Sequence, residues 1–194
     1  MELVASLKAT AQPDFAERIR QGERAALREA YERTHQRLYR FALAMSGDPE
    51  AAADALQETF VALLREPGQF DPHKGSLEAF LYGILRNRLR EWRRKKAGGE
   101  VPWEEEEQSE LGQETLLEGL SRKSRNEAVR AAILALPEHY REVVTLVELE
   151  EMTYEESAAV LGLPVGTVRS RLSRARGHLE KSLRELSLRE GSAR

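Results

Sequence analysis

The sequence predicts an all-α protein of two small helical domains joined by an acidic linker. Apolar residues recur three and four positions apart through both halves, the spacing of one helix face, and no stretch carries a clear strand signal. Charge is segregated: from Arg86 to Lys96 seven cations stand against the single acid Glu91, and from Ala97 to Ser121 eight acids stand with no cation. A chain of 194 residues with 41% hydrophobic and 32% charged residues suits two small domains with much exposed surface.

The elements follow in order. Residues 1–14 form an N-terminal extension with no assigned role. Phe15 to Arg20 is a short amphipathic piece ended by Gly22, Arg24 to Met45 a long amphipathic helix ended by Gly47, and Asp48 caps a third helix running to about Glu66. Pro67 and Gly68 break the chain, Gln69 to Gly75 forms a loop, and Ser76 caps a basic helix reaching about Lys96. These elements make a first domain over residues 15–97. Residues 98–125 are acid-rich with scattered leucine and glycine, and read as a largely extended or disordered linker. Helices resume from Asn126 to Leu136 and from Glu138 to Glu151, and with the pair that follows they fill a second domain over residues 126–186, leaving 187–194 as a tail.

The last pair has the pattern of a DNA-reading helix-turn-helix. Thr153 followed by Glu156 makes a capping box at the start of its first helix, and Gly162 and Pro164 stop that helix and launch the next. On the second helix Val168, Leu172, Ala175 and Leu179 share one face, leaving Gly166, Ser170, Ser173, Arg174 and Gly177 opposite. Small residues let a helix approach a groove floor, and the arginines beside them can reach phosphates or the acceptor edge of guanine. A solvated basic face is the plainer alternative.

Two other helices offer surfaces. On the basic helix, Leu77, Leu81, Ile84, Leu85 and Trp92 mark the buried side, and Tyr82, Gly83, Arg86, Arg90 and Arg93 fall opposite. An aromatic followed by arginines suits a single strand whose bases stack while its phosphates are tracked. The preceding loop, Phe70 to Gly75, either holds an extruded base or merely connects helices. On the third helix Ala52, Ala55, Leu56, Thr59, Phe60 and Leu63 pack inward, leaving Asp54, Gln57, Glu58 and Val61 outside, either as a docking patch or as a solvated face.

Several function classes drop out. Without cysteine there is neither a disulfide framework nor a thiolate metal site, and His35, His73, His139 and His178 form no ligand-spaced pair, so no metal or cofactor is expected. No nucleophile constellation or glycine-rich phosphate loop suggests an enzyme. No apolar run approaches the roughly 20 residues that span a bilayer, and no signal peptide leads the chain, so a cytoplasmic location without membrane insertion is expected.

The residues together resemble the extracytoplasmic-function (ECF, group 4) sigma factors of bacterial RNA polymerase. Leu38 to Ala42, Gly47 to Glu50, Asp54 to Phe60, Phe70 to Ser76, Ala79 to Leu81, Ile84 to Asn87 and the basic run ending at Lys96 resemble sigma region 2. Leu136 to Glu138, Arg141-Glu142, Tyr154 to Glu156, Ala158, Leu161 to Pro164 and Gly166 to Ala175 resemble region 4. The resemblance implies a subunit that binds the polymerase core and directs recognition and opening of promoters. It implies core contacts at Asp54, Gln57, Glu58 and Val61. It places the -10 element on Phe70, Asp71, His73, Lys74, Tyr82, Arg86, Asn87, Arg90, Arg93 and Arg94, and the duplex -35 element on Gly166, Thr167, Arg169, Ser170, Arg171, Ser173 and Arg174. An anti-sigma protein is a further partner the family suggests. Phe80, Gly83 and Glu91 depart from the common pattern, where tryptophan, a longer side chain and aspartate are usual.

Two readings compete with this one: an autonomous helix-turn-helix repressor or activator, which gives no role to Tyr82, Arg86 and Arg90, and a helical adaptor whose basic and acidic segments pair with each other. The charge pattern adds one expectation, that Glu104 to Glu107 of the linker cover the basic helix of the free protein.

Overall fold

A computed structural model describes residues 14–96 and 125–192, and every regular element among them is helical. In the first half α1 (Phe15–Arg20), α2 (Arg24–Ser46), α3 (Pro49–Arg65) and α4 (Leu77–Lys96) follow one another, with a single 3-10 turn at Pro67–Gln69. The second half comprises α5 (Arg125–Ala135), α6 (Glu138–Val144), α7 (Tyr154–Leu161) and α8 (Val165–Ser192).

The boundaries follow the expected local chemistry. The Asp48 carboxylate accepts from the amides of Glu50 and Ala51 at 3.0 and 3.2 Å, satisfying donors that the first turn of α3 leaves free. Ser76 does the same for Ala79 at the head of α4. At α7 the Thr153 hydroxyl accepts from the Glu156 amide at 3.2 Å, and the Glu156 carboxylate accepts from the Thr153 amide at 2.8 Å. The backbone amide of Thr153 and the Glu156 carboxylate thereby complete a reciprocal cap. Gly47 and Gly162 close α2 and α7 in the left-handed conformation, at φ of 68° and 67°.

Two boundaries differ from expectation. The helix expected from Glu138 to Glu151 is regular only to Val144; Thr145–Leu149 then widens into a π turn in which the Glu150 amide donates to the Thr145 carbonyl. The wider turn brings the Glu150 carboxylate inward, where its side chain is 0% exposed. At the other end the backbone of α8 runs to Ser192, past the expected boundary at 186, so a helix occupies residues assigned to a tail.

Within the first half α2, α3 and α4 pack on one another, and in the second α8 packs on α5, α6 and α7. The halves also meet. α7 lies against α4, and α5 and α6 lie against α2, so the buried side chains form one continuous cluster, from Leu38, Phe41, Leu81 and Leu85 to Val143, Leu146, Leu161 and Leu172. The fit is close at Gly47, where a Cβ would stand 3.1 Å from a Leu134 methyl of the other half. The expected coverage of the basic helix by Glu104 to Glu107 concerns residues outside those described, as does most of the N-terminal extension.

Candidate nucleic-acid interface

The helix-turn-helix is built as its sequence requires. Val168, Leu172 and Ala175 are buried against the preceding helices, with Leu179 half-buried at the end of the same stripe. That orientation leaves Gly166, Arg169, Ser170, Ser173 and Arg174 exposed on the opposite face, with Thr167 and Arg171 half-buried at its margin. The Arg169 guanidinium lies over the Tyr154 ring at 5.3 Å, which ties the start of α8 to α7. An exposed helix face of small residues flanked by cations can enter a major groove and meet base edges and phosphates.

On α3 the structure places Asp54, Gln57 and Glu58 on an exposed face, with Val61 half-buried beside them. Glu58 faces Arg88 of α4 at 3.4 Å, an exposed pair worth little in water. Gln57, Glu58, Val61 and Arg88 border an open depression that also involves Ala62, Arg65, Glu66 and Gln69.

The α4 surface is arranged differently from expectation. Leu81, Tyr82, Leu85 and Leu89 are its buried residues, so the buried stripe is turned from its expected position: it takes in Tyr82 and Leu89, while Leu77, Ile84 and Trp92 are only half-buried. Tyr82 is 1% exposed, its ring meets Phe41 edge-on at 5.2 Å, and its hydroxyl has no partner among the described residues. Burial and the neighbouring Glu150 carboxylate push its pKa far up, so it stays a neutral phenol. Tyr82 therefore cannot stack on a base while the halves are packed together. Phe70, expected to line a base pocket, is 3% exposed and packs near Phe80, with centroids 5.7 Å apart; this side chain anchors the loop to the core. Asp71 accepts from the His73 amide at 3.0 Å and shapes the turn, while His73 and Lys74 stand exposed.

The arginines of α4 are engaged by the other half. Arg86 grips Glu142 of α6 with two bonds, Nε to Oε1 at 2.5 Å and a terminal nitrogen to Oε2 at 3.1 Å, and donates to the Leu161 carbonyl at 3.1 Å. Arg90 reaches both Glu138 and Glu142 at 3.3 Å, and Arg93 pairs with Glu138. Burial raises the Glu138 pKa, but Arg93 and Arg90 outweigh it and hold the carboxyl below its usual range. Asn87 and Arg94 remain exposed.

A second set of ion pairs was not anticipated from sequence. Glu150 receives both nitrogens of an Arg40 fork at 3.0 and 2.9 Å, and Arg37 at 3.3 Å, while the Arg37 guanidinium also donates to the Glu150 carbonyl. Nearby, Arg141 donates to the carbonyls of Met45, Leu134 and Leu136, and burial lowers its pKa to about 10, which leaves it charged at neutral pH. No local signal marked Glu142: on α6 Tyr140, Val143 and Val144 share one face, and Glu142 lies off that face, where it is buried against Arg86 of α4.

Comparison with known proteins agrees with this geometry. Residues 30–98 match the family "Sigma-70 region 2" and residues 126–179 match "Sigma-70, region 4". The chain is 35% identical over 147 residues to the ECF RNA polymerase sigma factor EcfG of Rhodopseudomonas palustris, covering 74% of this chain and 77% of that protein. It is also 35% identical over 164 residues to the RNA polymerase sigma-E factor of Streptomyces avermitilis, covering 82% and 87%. In fold it is similar to CnrH in its complex with the cytosolic domain of CnrY, at a TM-score of 0.66 and 24% identity, over 88% of this chain and 96% of that one. A helix-turn-helix with an exposed basic face on its second helix, a basic helix preceding it in the chain and both family matches in that order lead to one conclusion: this chain belongs to the ECF sigma factors, the initiation subunits of bacterial RNA polymerase.

Proposed function

We propose that this sigma factor joins the core enzyme through the Asp54, Gln57, Glu58 and Val61 face of α3 and reads a duplex -35 element with α8. In the same reading Arg86, Asn87, Arg90, Arg93 and Arg94 of α4, with Asp71, His73 and Lys74 of the loop before it, hold the opened -10 strand. The observation that carries this is the exposed small and basic face of α8, set by burial of Val168, Leu172 and Ala175. Tyr82 and Phe70 enter the -10 reading only as side chains that shape the surface, since both are buried. The acidic linker of residues 98–125 joins the two reading units in the proposed division of the chain. The subunit itself carries out no chemistry. Among the described residues no helix is long and apolar enough to cross a membrane, which suits a factor that works beside the cytoplasmic polymerase. An inhibitory protein that holds the factor is a further proposed partner, in line with the complexes in which proteins of like fold were solved.

The test is transcription in vitro from a randomised promoter library with core polymerase and this protein. Transcripts should start downstream of one shared pair of sequence elements and only when both components are present. Duplex binding as a dimer on paired half-sites, without core-dependent transcription, would instead establish an autonomous repressor or activator.

A further inference from the structure

We propose that Arg37 and Arg40 of α2 extend the nucleic-acid track of α4, and that in the free chain Glu138, Glu142 and Glu150 occupy this track in the place of strand phosphates. The inference rests on the proposed role of α4 in holding the -10 strand.

Positions 78, 82, 86, 90 and 93 make one stripe along α4. Arg37 joins this stripe at its head, 3.9 Å from Glu78, and Arg40 lies one turn further along α2. Five guanidiniums thus line one face of the first half, and each meets a carboxylate of the second half. Arg86 and Arg40 take theirs with two parallel bonds, a geometry that a guanidinium offers equally to carboxylate and phosphate. Coverage is selective, because the reading face of α8 and the acidic face of α3 both stay exposed in the same arrangement. The free chain can therefore present its core-docking and duplex-reading surfaces while Arg86, Arg90 and Arg93 of its single-strand surface are occupied.

The energetics suit an arrangement that opens. Glu142 and Glu150 have side chains 1% and 0% exposed, and a buried ion pair loses in desolvation most of what it gains in attraction. Closure also buries the Tyr82 hydroxyl without a partner, a standing cost. Strand phosphates offer the same arginines equivalent partners outside the protein, so core polymerase and DNA need supply only the difference.

The experiment uses the full-length chain and a fluorescently labelled single-stranded oligonucleotide, read by anisotropy over a salt series. Since the chain holds no cysteine, E32C and K181C accept a donor and acceptor dye that report the separation of the halves. Replacing all three carboxylates (E138Q, E142Q, E150Q) should move the dyes apart and tighten strand binding tenfold or more at low salt. Adding R37A and R40A should then reverse part of the gain and shrink the salt slope by about 1.4, at about 0.7 per lost phosphate contact. Unchanged dye separation, or separation without tighter binding, overturns the proposal. Should the triple variant fail to fold, the same R37A and R40A change is read in holoenzyme with core polymerase, where an unaltered salt slope for the strand overturns it equally. Core-dependent transcription by the unaltered chain runs in parallel: its loss defeats the proposed function, whereas its presence beside a flat R37A, R40A result defeats this inference alone.

Discussion

Tyr82 shows how one residue can be placed wrongly by periodicity and rightly by packing. On a helix wheel it belongs with Arg86 and Arg90, yet the second half lies over that side and converts it into an interior residue against Phe41. Its unpartnered hydroxyl makes Tyr82→Phe an informative change. A buried unsatisfied hydroxyl costs about 1–3 kcal/mol, so the variant should unfold at equal or higher urea concentration than the unaltered chain, by up to about 1 kcal/mol. A clear loss of stability would reveal a bond that the hydroxyl makes. On the exposed face of α8, Arg174→Ala should weaken binding to a -35 duplex by about 1–3 kcal/mol and relax preference at one base pair. Equal weakening on every duplex, measured by competition with sequence variants, would assign Arg174 to phosphate instead.

Among the elements, α7 depends most visibly on its termini. It has eight residues, too few to persist by propensity, and the Thr153 and Glu156 exchange satisfies donors that would otherwise point into solvent or protein. Thr153→Ala should cost about 1 kcal/mol in chemical denaturation. The hydrogen bonds from the Thr153 amide and hydroxyl hold the Glu156 carboxyl below its usual pKa. A depressed carboxyl contributes stability above its unfolded pKa and loses that contribution as pH falls through its folded value. In Thr153→Ala the Glu156 pKa should therefore rise toward the ordinary range, a change that carbon-detected NMR titration reads directly.

At the scale of the whole molecule, the docking reading of α3 is tested by Asp54→Lys with Glu58→Lys. Both positions are exposed, so unfolding free energy should change by no more than about 0.5 kcal/mol each while affinity for core polymerase falls; intact core binding would move the docking face elsewhere. Acid should part the halves, because Glu138 is held below its usual range by Arg93 and Arg90, and the attraction is lost as pH falls through that lowered value. Once the pH has fallen below the ordinary glutamate range, the radius measured by small-angle X-ray scattering should grow before helicity is lost. The helices, their caps and the exposed face of α8 were legible in the sequence because each is set by residues a few positions apart. The pairing of Glu142 with Arg86 and of Glu150 with Arg37 and Arg40 was not, since it spans 56 to 113 residues and depends on how two helical units meet. Helical spacing gives each helix its own faces but not which neighbour will cover them, and Tyr82 and Phe70 were misplaced for that reason.

The π turn at Thr145–Leu149 makes the aim of Glu150 a matter of chain length. Such a turn holds one residue more than an α turn, and everything beyond it is rotated by about 100° relative to a regular helix. Deleting one residue here would remove no charge from Glu150 and no apolar side chain from α2, yet it would swing the carboxylate off Arg40. Adaptation therefore has two independent dials at this joint: side-chain replacement adjusts the strength of the contact, and a single-codon insertion or loss switches its direction.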